Sequence, residues 1–382
     1  MFNVASLVTY ALLSVALVRA QAVGTPFGRG SGTTGGGDAE PQTPSSNDEL
    51  TEWLADDTAR VILLDSIFDF TGTEGEATED GCIPWTCTPN PQLAINANDW
   101  CSSDYETTSI TYDKAGTTAL QVGSNKTLMG SGSNAGIKGK GLHITDQSNI
   151  IIQNIKITDI NAQYVWGGDA LYIDGGSKIW IDHNYFNRIG RQMLVTGYGA
   201  VTETTFSNNV LDGDSDYSTS CNNMAYWIAL FVGDGDSLTF AQNHITHTAG
   251  RGPHAGGTDG YTQSIHIYNN YYDTIDGHAI DPEVGSSILA EGNYFNAVTT
   301  PLQEVTGAAY FPISEDEASA CSSSLGRACI ANTVSSDSGE ISGSSDGALS
   351  AFTDDGSLGV DVMAASEVPD YIAANAGVGI VN

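Results

Sequence analysis

Fixed positive charge is scarce in the second half of this chain, and its placement is the first pointer to chemistry. All six lysines lie between Lys114 and Lys178, and beyond them Arg188, Arg191, Arg251 and Arg327 are the only Lys or Arg residues. A guanidinium beside a polar substrate can bind it or steady a developing negative charge. The turn ahead of Arg191 carries Trp166-Gly167-Gly168-Asp169, which adds a carboxylate. Trp85, Trp100, Trp166 and Trp227 fall in loops or strand ends around this region, whereas Trp53 and Trp180 read as core residues. Aromatic platforms beside a few fixed charges suit a sugar polymer. The competing reading pairs each arginine with a surface carboxylate, where it does little.

Composition narrows the classes further. Acidic residues number 46 against 13 basic ones, a formal charge of −33. A nucleic-acid binder needs clustered Lys and Arg to neutralise phosphates, so no nucleic-acid partner is expected. Hydrophobic residues make up 40% of the chain, which argues against disorder. Charged residues are only 15% and glycines number 44, a balance that favours short strands and turns over helical bundles.

The element that would position the arginines is a repeat. Ile179 to Phe186, Thr205 to Leu211, Leu238 to Ile245, Ile265 to Tyr272 and Ile288 to Phe295 share alternating apolar residues, an Asn and an apolar or aromatic pair. Their asparagines, Asn184, Asn209, Asn243, Asn270 and Asn293, are spaced by 25, 34, 27 and 23 residues, and Asn154 fits one position out of step. One strand per such period predicts an all-β solenoid, a right-handed single-stranded parallel β-helix, in preference to hairpins in a sandwich. The asparagines would stack at one corner, bond to their neighbours and take up its left-handed bend. Each coil returns to the same face, so Asp169, Arg191 and Arg251 can converge. The flanks are predicted to be loop-rich. A short N-terminal helix opens at the capping box Ser46 to Glu49 and buries Leu50, Trp53 and Leu54, and a strand follows over Val61 to Phe70. Residues 313–355 read as loops, and 368–382 as a covering turn or helix.

Residues 1–20 read as a secretory signal peptide cleaved after Ala20, with 21–382 as a single domain and no later stretch apolar enough to span a membrane. Secretion makes disulfides the expected state of Cys82, Cys87, Cys101, Cys221, Cys321 and Cys329, although six cysteines allow fifteen pairings. Asn125-Lys126-Thr127 is an N-glycosylation sequon. No metal-ligand spacing is present, and no oligomer signal, so a monomer without metal or cofactor is expected. Gly130 to Ala135, Gly139 to Gly141 and Asp212 to Asp216 mimic nucleotide, phosphate and calcium loops but lack required residues, and they read as solenoid turns.

Taken along its length, the chain resembles the fungal pectin lyases of the pectate lyase superfamily. The resemblance rests on GTTGGGD at 32–38, FDFTGTEG at 68–75, VWGGDA at 165–170, IWIDH at 179–183, RIGRQ at 188–192, Gly250-Arg251 and LGRAC at 325–329. It implies extracellular β-eliminative cleavage of methyl-esterified polygalacturonate. It further implies Arg251 as the catalytic arginine with Asp169 and Arg191 beside it, and Trp85, Trp100, Trp166 and Trp227 as cleft aromatics. The implied disulfides are Cys82–Cys101, Cys87–Cys221 and Cys321–Cys329. Related pectate lyases carry acidic calcium ligands where this chain has Arg191 and Val195. The family's Lys three residues after the catalytic arginine is His254 here, a titratable substrate-binding candidate. A methyl ester acidifies the proton on carbon 5 and carries no charge, so a strongly acidic protein suits pectin better than polygalacturonate. Arg251 is the expected base and Asp169 the lesser candidate, while Arg191 would steady the enolate-like charge. The rival readings are a calcium pectate lyase and a non-catalytic pectin-binding β-helix.

Overall fold

The computed structural model describes residues 22–353, 355 and 358–381, and the leader predicted over 1–20 lies outside them. Three columns of strands stack along the chain, and every pairing in this large sheet system is parallel. The coil is therefore a parallel β-helix and not a sandwich of hairpins. Its interior is built by the alternation seen in the sequence. Ile150, Ile179, Thr204, Leu238, Ile265 and Ile288 form one register column, and Ile152, Ile181, Phe206, Phe240, Ile267 and Ala290 form the next inward one. All twelve are buried, and each large apolar member contributes about 1.5–3 kcal/mol.

The predicted asparagine ladder runs down one corner and gains a sixth member, Asn332. In each rung an Nδ2 donates to the Oδ1 of the next asparagine, from Asn184 to Asn209, Asn243, Asn270, Asn293 and Asn332, at 2.9–3.0 Å. The left-handed bend, however, falls one residue earlier than expected. His183, Asn208, Gln242 and Asn269 have φ of 54°, 51°, 58° and 52°. The buried ladder side chain must point inward along the corner, so its predecessor absorbs the turn. Asn154 is such a bend residue (φ 59°), and the ladder begins instead at the backbone N–H of Ile155, which donates to Asn184 Oδ1.

The flanks close and cover the coil. The helix Asn47–Ala55 opens as read, with Ser46 accepting from the Glu49 N–H, but the Glu49 carboxylate bonds Ser45 and not Ser46. The strand expected over Val61 to Phe70 is broken into Arg60–Leu64 and Ile67–Asp69, because Asp65 and Ser66 turn the coil corner. Trp53 packs on the core, while Trp180 faces outward. Trp180 is buried beneath an N-terminal strap and donates to Ser207 Oγ. Residues 313–355 are more ordered than loops: the helices Glu315–Ser319 and Ser322–Leu325 and the 3₁₀ turn Asp346–Phe352 join the Cys321–Cys329 bridge in a small core of their own. A helix, Val368–Asn375, lies along the outside of the coil, and just beyond it the Gly377 N–H donates to Asn208 O.

Near the cleft, a small sheet of Glu76–Ile83, Leu93–Ile95, Glu106–Asp113 and Tyr164–Val165 forms a lobe. Cys82–Cys101 closes the lobe on itself, and Cys87–Cys221 ties it to the solenoid.

Candidate active site

One face of the coil carries an outward register column of His143, Tyr172, Val195, Leu230, His254 and Asp281. The column is aromatic at one end, aliphatic in the middle and charged at the other. Asp169, Arg191, Trp227 and Arg251 stand two or three residues ahead of the strands that supply it, so successive coils deliver them to one wall. Together with Trp100, Trp166 and Tyr198 they line a cleft of about 680 Å³. It adjoins a hollow of about 250 Å³ bounded by Gly116, Thr117 and His143, and the two share Trp166, Asp169, Tyr172 and Arg191.

Asp169 holds Arg191 through two bonds, Nε to Oδ1 at 2.9 Å and Nη2 to Oδ2 at 3.1 Å, and it also accepts from the Gln192 N–H. The Arg191 guanidinium lies 4.3 Å from the Trp166 ring centre. A bidentate, aromatic-backed arginine has little rotational freedom left, which suits it to a fixed electrostatic task. Arg251 is different. It sits over Trp227 at 4.9 Å and Tyr226 at 5.5 Å, and its Nε is buried without a hydrogen-bond partner. Burial, first of all, pushes its guanidinium below the ordinary value; Tyr226 and Asp281 oppose this, and Arg191 adds to it. Two further arginines pair with carboxylates outside the cleft: Arg188 with Asp159 and Asp216 at the surface, and Arg327 with the buried Glu291.

The other predicted residues divide. Trp100, Trp166 and Trp227 line the cleft, whereas Trp85 packs 6.3 Å from both Trp100 and Trp227 and supports them from behind. Trp227 is fixed by its indole N–H, which donates to Gln92 Oε1. His254 lies beyond the described cleft lining, with its Nδ1 2.5 Å from Asp281 Oδ2. Asn125 is exposed, and its Oδ1 accepts from Asn149 Nδ2. Tyr172, Tyr226, Tyr198 and His143 were not singled out in the sequence. Strand alternation after Asp169 carries the signal for Tyr172; the others meet the site only through coil register.

Calcium, which the pectate lyases use, fits this cleft poorly. The ion takes six to eight oxygens with carboxylates prominent among them. Asp169 is the only carboxylate among the described lining residues, and both of its oxygens face Arg191. Val195 offers no oxygen from its side chain.

Comparison with known proteins agrees with this architecture. A family model described as pectate lyase matches residues 5–381. A probable pectin lyase F-2 from Aspergillus terreus is 47% identical over 98% of this chain and 78% of its own length. Pectin lyase D from Aspergillus niger is 44% identical over 97% of this chain and 98% of its own. Among solved structures, a pectate lyase from Bacillus sp. N165 in complex with trigalacturonate superposes with a TM-score of 0.62 at 16% identity, over 93% of this chain and 99% of that one. A pectate lyase from Xanthomonas campestris gives 0.58 at 21% identity, over 93% and 98%. At those identities the structures speak for the fold, and the fungal sequences speak for the branch. The chain belongs to the pectate lyase family, alongside its fungal pectin lyases.

Proposed function

We propose that the cleft cuts methyl-esterified galacturonan internally by β-elimination, with Arg251 taking the proton and Arg191 steadying the charge that develops. The activity is that of a pectin lyase. Outside the cell, where disulfides persist, the chain would act as a secreted monomer. The observation that carries the reading is the cleft's charge pattern: two guanidiniums, one already bound by Asp169, over an aliphatic floor of Val195 and Leu230. Such a floor accepts a methyl ester and offers a free carboxylate little.

In the reaction, neutral Arg251 accepts the proton on carbon 5 and becomes a guanidinium. The electron pair left behind passes through the ester enolate into a new C4–C5 double bond as the C4–O4 bond breaks. The departing oxygen keeps that bonding pair and takes a proton from solvent. Arg191 faces the carbonyl oxygen, where charge accumulates, and Asp169 keeps it there. Asp169 is the weaker base, because its oxygens are already committed to Arg191 and Gln192. The indoles of Trp100, Trp166 and Trp227 supply the stacking surfaces.

The test follows the ultraviolet absorbance of the unsaturated uronate product on highly methylated pectin and on polygalacturonate, with calcium and with chelator. Turnover of pectin that persists in chelator is expected, and Arg251→Ala should lower it by about 10²–10⁴-fold. Calcium-dependent turnover of polygalacturonate alone would replace this reading with a pectate lyase. Binding without product would make the chain a pectin-binding module.

A further inference from the structure

Next to Arg251, where the outward register column runs on past Leu230 to His254 and Asp281, lies a group of polar side chains that the elimination does not use. Asp281 is 6% exposed and His278 9% exposed. His254 donates from Nδ1 to Asp281 Oδ2 at 2.5 Å, and His278 Nε2 approaches the same oxygen at 3.6 Å. Three buried atoms in this group lack hydrogen-bond partners: Asp281 Oδ1, His278 Nε2 and Arg251 Nε. Leaving such groups unpaired is costly.

The backbone is also bent to make the arrangement. The strand Tyr271–Pro282 shifts register against its neighbour between Ile275 and His278, which is where His278 is turned towards Tyr226, ring centres 5.6 Å apart. Irregularities of this kind re-aim side chains beside active sites. Gly250 permits the close packing, since a Cβ there would lie 2.5 Å from the Tyr226 ring and 3.1 Å from His278 Cε1. Tyr226 in turn carries the Arg251 guanidinium on its face.

We propose that Asp281 is a positioning residue of this site: bonded by His254 and flanked by His278, it acts on Arg251 through its negative charge and sets the pH above which Arg251 can accept the proton. This rests on the assignment of Arg251 as the base. The titratable and charged groups around Arg251 are Arg191, Asp169, Tyr226, Tyr272, His254, His278 and Asp281. Asp169 is neutralised by Arg191 in a bidentate pair, which leaves Asp281 as the carboxylate whose charge acts on Arg251. Burial pushes the Asp281 carboxyl up, but the His254 bond and the neighbouring positive charges outweigh it, and the group lies below the ordinary carboxylate value. It therefore stays anionic through the working range. An anion beside a base favours the protonated form, so Asp281 delays the onset of activity as pH rises.

The experiment is the pH profile of kcat/KM on highly methylated pectin for the full chain and for Asp281→Asn, which keeps an acceptor for His254. The acid limb should move to lower pH, with about a tenfold gain in rate at a fixed pH on that limb. His254→Lys sets a permanent cation against Asp281 and should shift the limb the same way, which keeps the idea testable if Asp281→Asn does not fold. A uniform loss at every pH, with the limb unmoved in both variants, would overturn the proposal. Arg251→Ala separates the two assignments. If it stays active, the base is wrong; if it is dead while the limb stays fixed, only Asp281 is.

Discussion

Truncating one middle rung of the asparagine ladder tests what holds the coils in register. Asn243 is fully buried. Its Oδ1 accepts from the Asn209 N–H at 3.0 Å and from Asn209 Nδ2 at 2.9 Å. Its Nδ2 donates to Phe206 O and to Asn270 Oδ1, both at 3.0 Å. In Asn243→Ala, Asn209 Nδ2 keeps Ile181 O and Asn270 Oδ1 keeps the backbone N–H of residue 243. The Asn209 N–H keeps nothing. One orphaned buried donor costs about 1–3 kcal/mol, and each weakened bond about 0.5–1.5 kcal/mol, so a loss of about 3 kcal/mol is expected. The control is Asn296→Ala: this outward side chain bonds Asp273 Oδ1 at the half-exposed surface, where water can replace it, and the loss should stay under about 1 kcal/mol. Urea unfolding followed by tryptophan fluorescence, at equal m-values, measures both. Equal small losses in the two variants would refute the ladder as a source of stability. Pectin turnover of the folded Asn243→Ala protein should be near normal, because the ladder corner is remote from the cleft sheet.

Asp169→Asn should release Arg191 from its two-point hold and lower kcat by about 10²–10³-fold with little change in KM, as loss of a transition-state contact does; an unchanged kcat would mean that Arg191 is placed by Trp166 alone. Glu291, unexposed and bonded by Arg327 Nη2 at 2.6 Å and His266 Nε2 at 2.8 Å, is pushed up by burial but brought down overall by Arg327 and His266 to about 2. Its folded value lies below its unfolded one, so its contribution is present above pH of about 4.5 and lost as pH falls towards 2, about 3 kcal/mol in all. Melting temperatures across that window should fall steeply in the parent and weakly in Glu291→Gln. Replacing Cys87 and Cys221 by serine opens a loop of 134 residues and should cost about 3–5 kcal/mol by chain entropy. The freed lobe should also raise KM for pectin more than it lowers kcat, since Trp85 and Trp100 ride on it.

What could be read in advance follows from what a one-dimensional string can encode. The coil was legible because an inward residue every second position and an Asn once per coil are periodic signals, and the three parallel columns are their direct consequence. Arg191 and Arg251 stood out because positive charge is rare. The position of the left-handed bend was only partly legible: the ladder needs the inward Asn and passes the bend to its predecessor, which is a tolerant Asn208 or Asn269 in two coils but Gln242, with no such preference, in another. Trp85 reads like Trp100 in the sequence, and only packing against Trp227 tells a supporting ring from a lining one. His254 is the sharpest case. Its place after Arg251 suggests substrate contact, but nothing in the string reveals that its partner is Asp281, 27 residues on and one coil further along the register column.

Charge accounting across the cleft explains how so acidic a chain can serve a uronate polymer. Arg188 and Arg327 are spent on carboxylates outside the site, and Asp169 cancels the charge of Arg191 at close range. Burial lowers the hold of Arg251 on its proton, and Tyr226 and Asp281 oppose that shift. The cleft thus holds one ion pair and one desolvated arginine over an aliphatic floor, inside a molecule of −33. A polymer bearing a carboxylate on every sugar would be repelled by that net charge. A methyl-esterified chain escapes this penalty, and the one negative charge it acquires appears only as the C5 proton leaves. In the proposed reaction Arg251 gains its charge at that moment beside Arg191, which would confine much of the electrostatic stabilisation to the transition state. Such confinement raises turnover without tightening the grip on substrate.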